Sequence, residues 1–85
     1  MRIGVAFDVP VSSPSIGIFH NARPGRTNTL KEGASVKKGQ ELGVLEVGKD
    51  LKPVSASTDG FLKIISVEEG KPVEYGQKLF LIKKA

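Results

Sequence analysis

The chain has 85 residues, enough for one small domain whose single core is only marginally sufficient. It contains no cysteine, which excludes disulfides, thiolate chemistry and a Cys-based zinc site, and its one histidine, His20, leaves little for any other metal centre. The net charge of +4, from 13 basic and 9 acidic residues, is dispersed: only RPGR at 23–26 is locally basic and no aromatic is interleaved, which argues against nucleic-acid binding.

Residues 1–10, MRIGVAFDVP, carry one basic residue and few apolar ones before Asp8, a poor signal peptide. The longest apolar runs, such as LFLI at 79–82, fall far short of the roughly 20 residues of a membrane span. A soluble, cytoplasmic protein with no membrane partner is expected. Ten glycines and five prolines then divide the sequence into IGVAF, SIGIF, ELGVLEV, FLKIISV and KLFLI. Pieces this short, rich in Val, Ile and Phe and bounded by Gly, Pro, Asp or Ser, read as strands. No stretch longer than about ten residues keeps a helical period free of glycine. The fold class is all-β.

The pieces repeat. EGASVKKGQELGVLEV from Glu32 lies over EGKPVEYGQKLFLIKK from Glu69 at an offset of 37, and PVSSPSIGIF from Pro10 lies over PVSASTDGFL from Pro53 at an offset of 43. The first half therefore holds six extra residues, located within HNARPGRTNT at 20–29. Each half is too small to bury its own apolar face, so the two are expected to pack with rough two-fold symmetry into one flattened barrel or sandwich. The inward side chains are predicted to be Val11, Ile18, Val36, Leu42, Val44, Val54, Phe61, Ile64, Val73, Leu79 and Leu81, with Tyr75 and Phe80 as packing residues. Gly33, Gly39, Gly70 and Gly76 occupy equivalent turns that need positive φ.

The junction of the two halves is LEVGKDLKPV, 45–54. Its flanks read as strands and its centre as a two-residue hairpin loop, where Gly48 supplies positive φ without steric cost and Lys49 is held at the apex. Asp50 and Glu46 stand where a partner protein could read the loop. Pro53 has no N–H to donate, which places the returning strand at a sheet edge. His20, in the inserted loop, is expected to be an exposed and inert histidine.

Over 11–83 the order of these features resembles the biotinyl and lipoyl attachment domains, and most closely the biotin carboxyl carrier proteins of acetyl-CoA carboxylase. SSPSIGIFH resembles that family's opening strand, LKEGASVKKGQELGVLEVGK its run into the modified lysine, and ISVEEGKPVEYGQKLFLIK its closing strands. The resemblance implies a barrel-sandwich hybrid spanning 1–85 as a single carrier domain, with a thumb-like loop at 20–29 and an attachment hairpin at 46–51. It implies biotin bound covalently to Lys49, with Glu46, Gly48 and Asp50 recognised by a biotin protein ligase. The family surrounds its lysine as Glu-Ala-Met-Lys-Met; here EVGKD keeps Glu46 and Lys49 and replaces both methionines by Gly48 and Asp50. Lipoyl domains place Asp before the lysine and commonly Ala after it, which EVGKD does not match either.

The implied function is that of a non-catalytic carrier component of a carboxylase serving fatty acid biosynthesis. Biotin on Lys49 would be carboxylated at a biotin carboxylase and would deliver the carboxyl group to acetyl-CoA or another acyl-CoA at a carboxyltransferase, the tether replacing free diffusion by a high effective concentration. Attachment requires the neutral amine to attack an activated acyl group, so the ligase supplies activation and deprotonation while the barrel displays the nucleophile. The 20–29 loop either rests against biotin or is a solvated loop. The alternative reading is an unmodified carrier-like barrel that binds carboxylase subunits as a structural or regulatory stand-in; a lipoate carrier is the third. No Ala/Pro-rich linker precedes Met1, which suits a free-standing carrier or an excised domain.

Overall fold

The computed structural model describes residues 8–26 and 30–84. The piece IGVAF at 3–7 and positions 27–29 of the 20–29 loop lie outside them. The described residues form eight strands: β1 (Asp8–Ser12), β2 (Gly17–His20), β3 (Ser35–Val36), β4 (Glu41–Val47), β5 (Asp50–Ser55), β6 (Gly60–Ile65), β7 (Pro72–Val73) and β8 (Lys78–Lys84). No helix among them is long and apolar enough to cross a membrane.

The strands make two antiparallel sheets, ordered β1-β8-β6-β3 and β5-β4-β2-β7. Exchanging every strand of one half for its counterpart in the other converts one order into the other. Each sheet takes two strands from each half, so neither half owns a sheet and neither can close a core alone. The repeat is visible bond by bond. The Ser13 N–H donates to the Gln77 carbonyl at 2.8 Å, and its counterpart Ala56 N–H donates to Gln40 at 2.8 Å. The repeated glutamine has a physical role, because Gln40 Oε1 accepts from the Lys37 N–H and Gln77 Oε1 from the Glu74 N–H, both at 3.0 Å. The four expected turn glycines, 33, 39, 70 and 76, have φ of 95°, 86°, 79° and 81°. β5 lies at a sheet edge, as Pro53 requires.

The core lies between the sheets and contains Val11, Val36, Leu42, Val54, Val73 and Leu79 as expected, together with Phe19, Leu45, Ala56, Leu62, Phe80 and Ile82. Phe19 and Phe80 meet edge to face at 5.7 Å and 62°, a contact worth about 0.5–1.5 kcal/mol beyond burial. Several inward assignments need correction. Phe61 and Ile64 are 48% and 42% exposed, and Ile18 and Leu81 are only half-buried. The residue one place along faces inward instead: Phe19 for Ile18, Leu62 for Phe61, Ile82 for Leu81. Val44 is buried but stands outside the core cluster, with His20 and Pro53 as its cross-strand neighbours.

For Leu81 and Ile64 the cause lies in β-bulges, whereas Ile18 and Phe61 stand in regular register on the outer face. Glu41 pairs with Ser55 and Gly43 with Val54, so Leu42 has no partner on β5, while Phe80 pairs with Val11 and Lys78 with Ser12, leaving Leu79 unpartnered on β1. Leu42 and Leu79 are equivalent positions in the repeat. An unpaired residue reverses the in-out phase beyond it, so Leu79 and Phe80 both face the core. On β6, Lys63 is skipped between the pairs Leu62–Ile82 and Ile64–Leu81. Tyr75, expected to pack, is exposed at the β7–β8 turn.

Candidate functional site

The longest hairpin of the second sheet joins β4 to β5. Its ladder runs from Gly43–Val54 to the closing pair Val47–Asp50, leaving Gly48 and Lys49 as a two-residue loop. Gly48 has φ of 61° and no described non-glycine residue has positive φ, so only the first loop position is left-handed. This is the type II′ pattern, whose twist matches that of the flanking strands. Lys49 and Asp50 are exposed. Among the described residues no hydrogen bond or ion pair engages the Lys49 amine, which a short backbone loop holds in water.

Glu46 is occupied elsewhere. Its Oε1 accepts from His20 Nε2 at 2.9 Å, while Glu69 Oε2 accepts from His20 Nδ1 at 2.6 Å and Glu69 Oε1 from the Asn21 N–H at 2.7 Å. Both ring nitrogens face carboxylate oxygens, an arrangement that favours the imidazolium. The bond to Glu69, then that to Glu46, raise the His20 pKa above its ordinary 6.5. The Asn21 N–H, then His20, hold the Glu69 carboxyl below its usual range. His20 is therefore not the inert loop residue expected: it ties β2, β4 and the β6–β7 connection together. Nothing local announces this, since Glu69 is 49 positions away. Only the cross-strand register, Ile18 with Glu46 and His20 with Val44, brings His20 and Glu46 together.

The described part of the 20–29 loop runs along β4 away from Lys49. Arg23 reaches Glu41, at the opposite end of that strand, with Nη2 donating at 2.8 Å and Nε at 3.1 and 3.2 Å to the two carboxylate oxygens. A cleft of about 190 Å³ opens beside this loop between Leu30, Leu42, Ile65, Val67 and Phe80, with Asn21, Glu68 and Glu69 at its polar side; Lys49 is not among its walls. Among the described residues no group of three or more His, Cys, Asp or Glu is arranged to hold a metal ion.

Comparison with known proteins assigns this chain to a family. The family model described as "Biotin-requiring enzyme", for biotin/lipoyl domains, matches residues 9–82. The chain belongs to the biotin/lipoyl domain family. Within that family it is 41% identical over 73 residues to the biotin carboxyl carrier protein of acetyl-CoA carboxylase from Pseudomonas aeruginosa, covering 85% of this chain and 47% of that protein. It is 35% identical over 74 residues to the Nostoc protein of the same name, covering 86% and 41%. The corresponding chloroplastic protein 2 of Arabidopsis thaliana is 34% identical over 74 residues, covering 86% and 29%. The chain thus spans less than half the length of these relatives. Part of a solved single-chain, multi-domain long-chain acyl-CoA carboxylase superimposes on it with a TM-score of 0.76 at 22% identity, covering 92% of this chain and 7% of that one.

Proposed function

We propose that this biotin/lipoyl domain is the biotin carrier of an acetyl-CoA or other acyl-CoA carboxylase, with biotin in amide linkage to Lys49. The observation that carries the reading is the exposed, unengaged Lys49 amine at a type II′ apex, in a chain whose relatives are named as biotin carboxyl carrier proteins. In this reading residues 1–85 form one non-catalytic cytoplasmic carrier domain. Its partners are a biotin protein ligase, a biotin carboxylase and a carboxyltransferase. Bound biotin would supply a nitrogen able to take up and release a carboxyl group.

The rest of the task falls to the chain. During attachment the neutral Nζ of Lys49 attacks the activated acyl carbonyl, the N–C bond forms as the activating group leaves, and the lysine's proton passes to the ligase or water. The loop fits this demand: a short, fixed turn presents the amine, and no acidic side chain among the described residues is bonded to it. Glu46, Gly48 and Asp50 form the surface that the ligase reads. After attachment the rigid strand pair presents the arm at one end of the barrel, and the tether keeps it concentrated near both active sites.

A second reading is favoured by the loop's own residues, since Gly48 and Asp50 replace the methionines of the family pattern: an unmodified barrel that binds carboxylase subunits. Incubation with biotin, ATP and a biotin protein ligase separates the two. The carrier reading expects one biotinyl mass increment and a streptavidin signal, both lost in Lys49→Ala. No increment, together with binding to a biotin carboxylase, would overturn it in favour of the stand-in.

A further inference from the structure

Ile16 and Tyr75 are 68% and 80% exposed, more than any other large apolar side chain described, and both sit at the Lys49 end of the barrel. Continuing the β2–β4 register, Ile18 with Glu46, puts Ile16 level with Gly48. The Gly17 backbone presses on β4 so closely that a Cβ there would stand 2.8 Å from the Glu46 carbonyl oxygen and 3.1 Å from Val47 Cγ2. The segment bearing Tyr75 is fastened to the segment bearing Ile16 on both sides. Gly17 pairs with Val73, the Gly76 N–H donates to the Ser13 carbonyl at 2.9 Å, and the Ser13 N–H donates to the Gln77 carbonyl at 2.8 Å. With neighbouring strands about 4.8 Å apart, Ile16 lies roughly 5 Å and the Tyr75 segment roughly 10 Å across from the strand that ends at Lys49. A lysine side chain extended by an acyl arm spans that.

The repeat provides an internal control. The counterparts of Ile16 and Tyr75 are Asp59 and Lys38, at the end of the barrel remote from Lys49, where the Lys38 N–H donates to Asp59 Oδ1 at 2.7 Å. The scaffold at these two points accepts two charged residues, with Asp59 taking a backbone N–H, so it does not demand apolar ones. Ile18 shows no such contrast, because its counterpart Phe61 is also apolar; the contrast is confined to positions 16 and 75.

We infer that Ile16 and Tyr75 are the resting surface for the thioether ring and aliphatic chain of the biotin carried on Lys49. The inference rests on the carrier reading above. Two exposed side chains fall far short of the roughly 800 Å² per partner of a stable protein interface, but they match a group of a few carbon atoms. The tether compensates for the small contact, since short flexible linkers give effective concentrations of order millimolar, enough to populate a site too weak to hold the free ligand. The described part of the 20–29 loop is committed to Glu41, at the far end of β4, which leaves this pair as the exposed apolar surface beside the loop tip.

The test compares unmodified and biotinylated protein, each verified by intact mass, by NMR of Ile16 methyl and Tyr75 ring signals. Tyr75 is also a native optical probe, being the only tyrosine in a chain without tryptophan. The inference expects chemical-shift changes at Ile16 and Tyr75, contacts between their protons and those of the biotin ring, and a change in tyrosine emission. In biotinylated Ile16→Ser/Tyr75→Ser protein the ring contacts should be lost, and because both side chains are exposed the barrel should still fold. Shift changes confined to 46–51, or ring contacts with the 20–29 loop instead, would overturn this inference and leave the carrier reading standing. Failure to gain biotin at all would overturn both.

Discussion

Gly43 is the point where the two halves differ most in the core, and it offers a quantitative check on the packing. A Cβ there would stand 2.8 Å from Phe19 Cε1, 3.0 Å from Phe19 Cζ and 2.9 Å from the His20 carbonyl oxygen. Phe19 cannot retreat, being fully buried with its ring against Phe80. In the other half the counterparts are Leu62 and Phe80, so a smaller residue on the inner strand accompanies a larger one on the long strand. Gly43→Ala is therefore expected to cost about 2 kcal/mol of overpacking, lowering the melting temperature by roughly 8–16 °C in a domain of this size. Phe19→Leu removes the ring atoms but not the carbonyl contact. The double variant should then be about 1 kcal/mol more stable than the summed single effects. Urea and thermal unfolding of the four proteins measure this cycle. A neutral Gly43→Ala, or additivity within about 0.5 kcal/mol, would refute the reasoning.

The His20 cluster predicts a pH profile. His20, raised above 6.5, contributes fully below that value and loses its contribution as pH rises through the raised pKa; Glu69, lowered from 4.5, contributes above 4.5 and loses it as pH falls through the lowered pKa. Urea unfolding should show the cluster's greatest contribution between 4.5 and 6.5, and His20→Gln should flatten the alkaline limb while the Asn21 N–H preserves part of the acid limb. Gly48→Ala forces a side chain into a φ of 61°, a strain of about 1–2 kcal/mol visible in chemical denaturation. Gln40→Ala and Gln77→Ala remove equivalent turn bonds; each should cost about 0.5–1.5 kcal/mol, and the two should agree closely if the halves are physically equivalent.

What could be read from the sequence followed the range of the physics involved. The Gly48–Lys49 turn, the four turn glycines and the edge position of Pro53 depend on local backbone chemistry. The repeat carried the two-fold plan. Inward faces were legible only up to the bulges: alternation alone assigns Leu79 and Leu81 to the core, whereas the unpaired Leu79 shifts the phase to Phe80 and Ile82. The His20–Glu46–Glu69 cluster and the Arg23–Glu41 pair had no local signal, because each joins residues far apart in sequence that meet only in the folded chain. Tyr75 reads in sequence as a packing residue because an aromatic beside a strand ordinarily packs. Its exposure emerges only when the turn is seen to lie at the end of the barrel rather than between the sheets.

Tandem mass spectrometry of peptides from ligase-treated protein tests the central claim most directly. The account predicts a biotinyl increment on the peptide containing Lys49 and on no other lysine, with proteolytic cleavage blocked at that residue. An increment on a different lysine, or an unmodified Lys49 after exhaustive treatment, would contradict it.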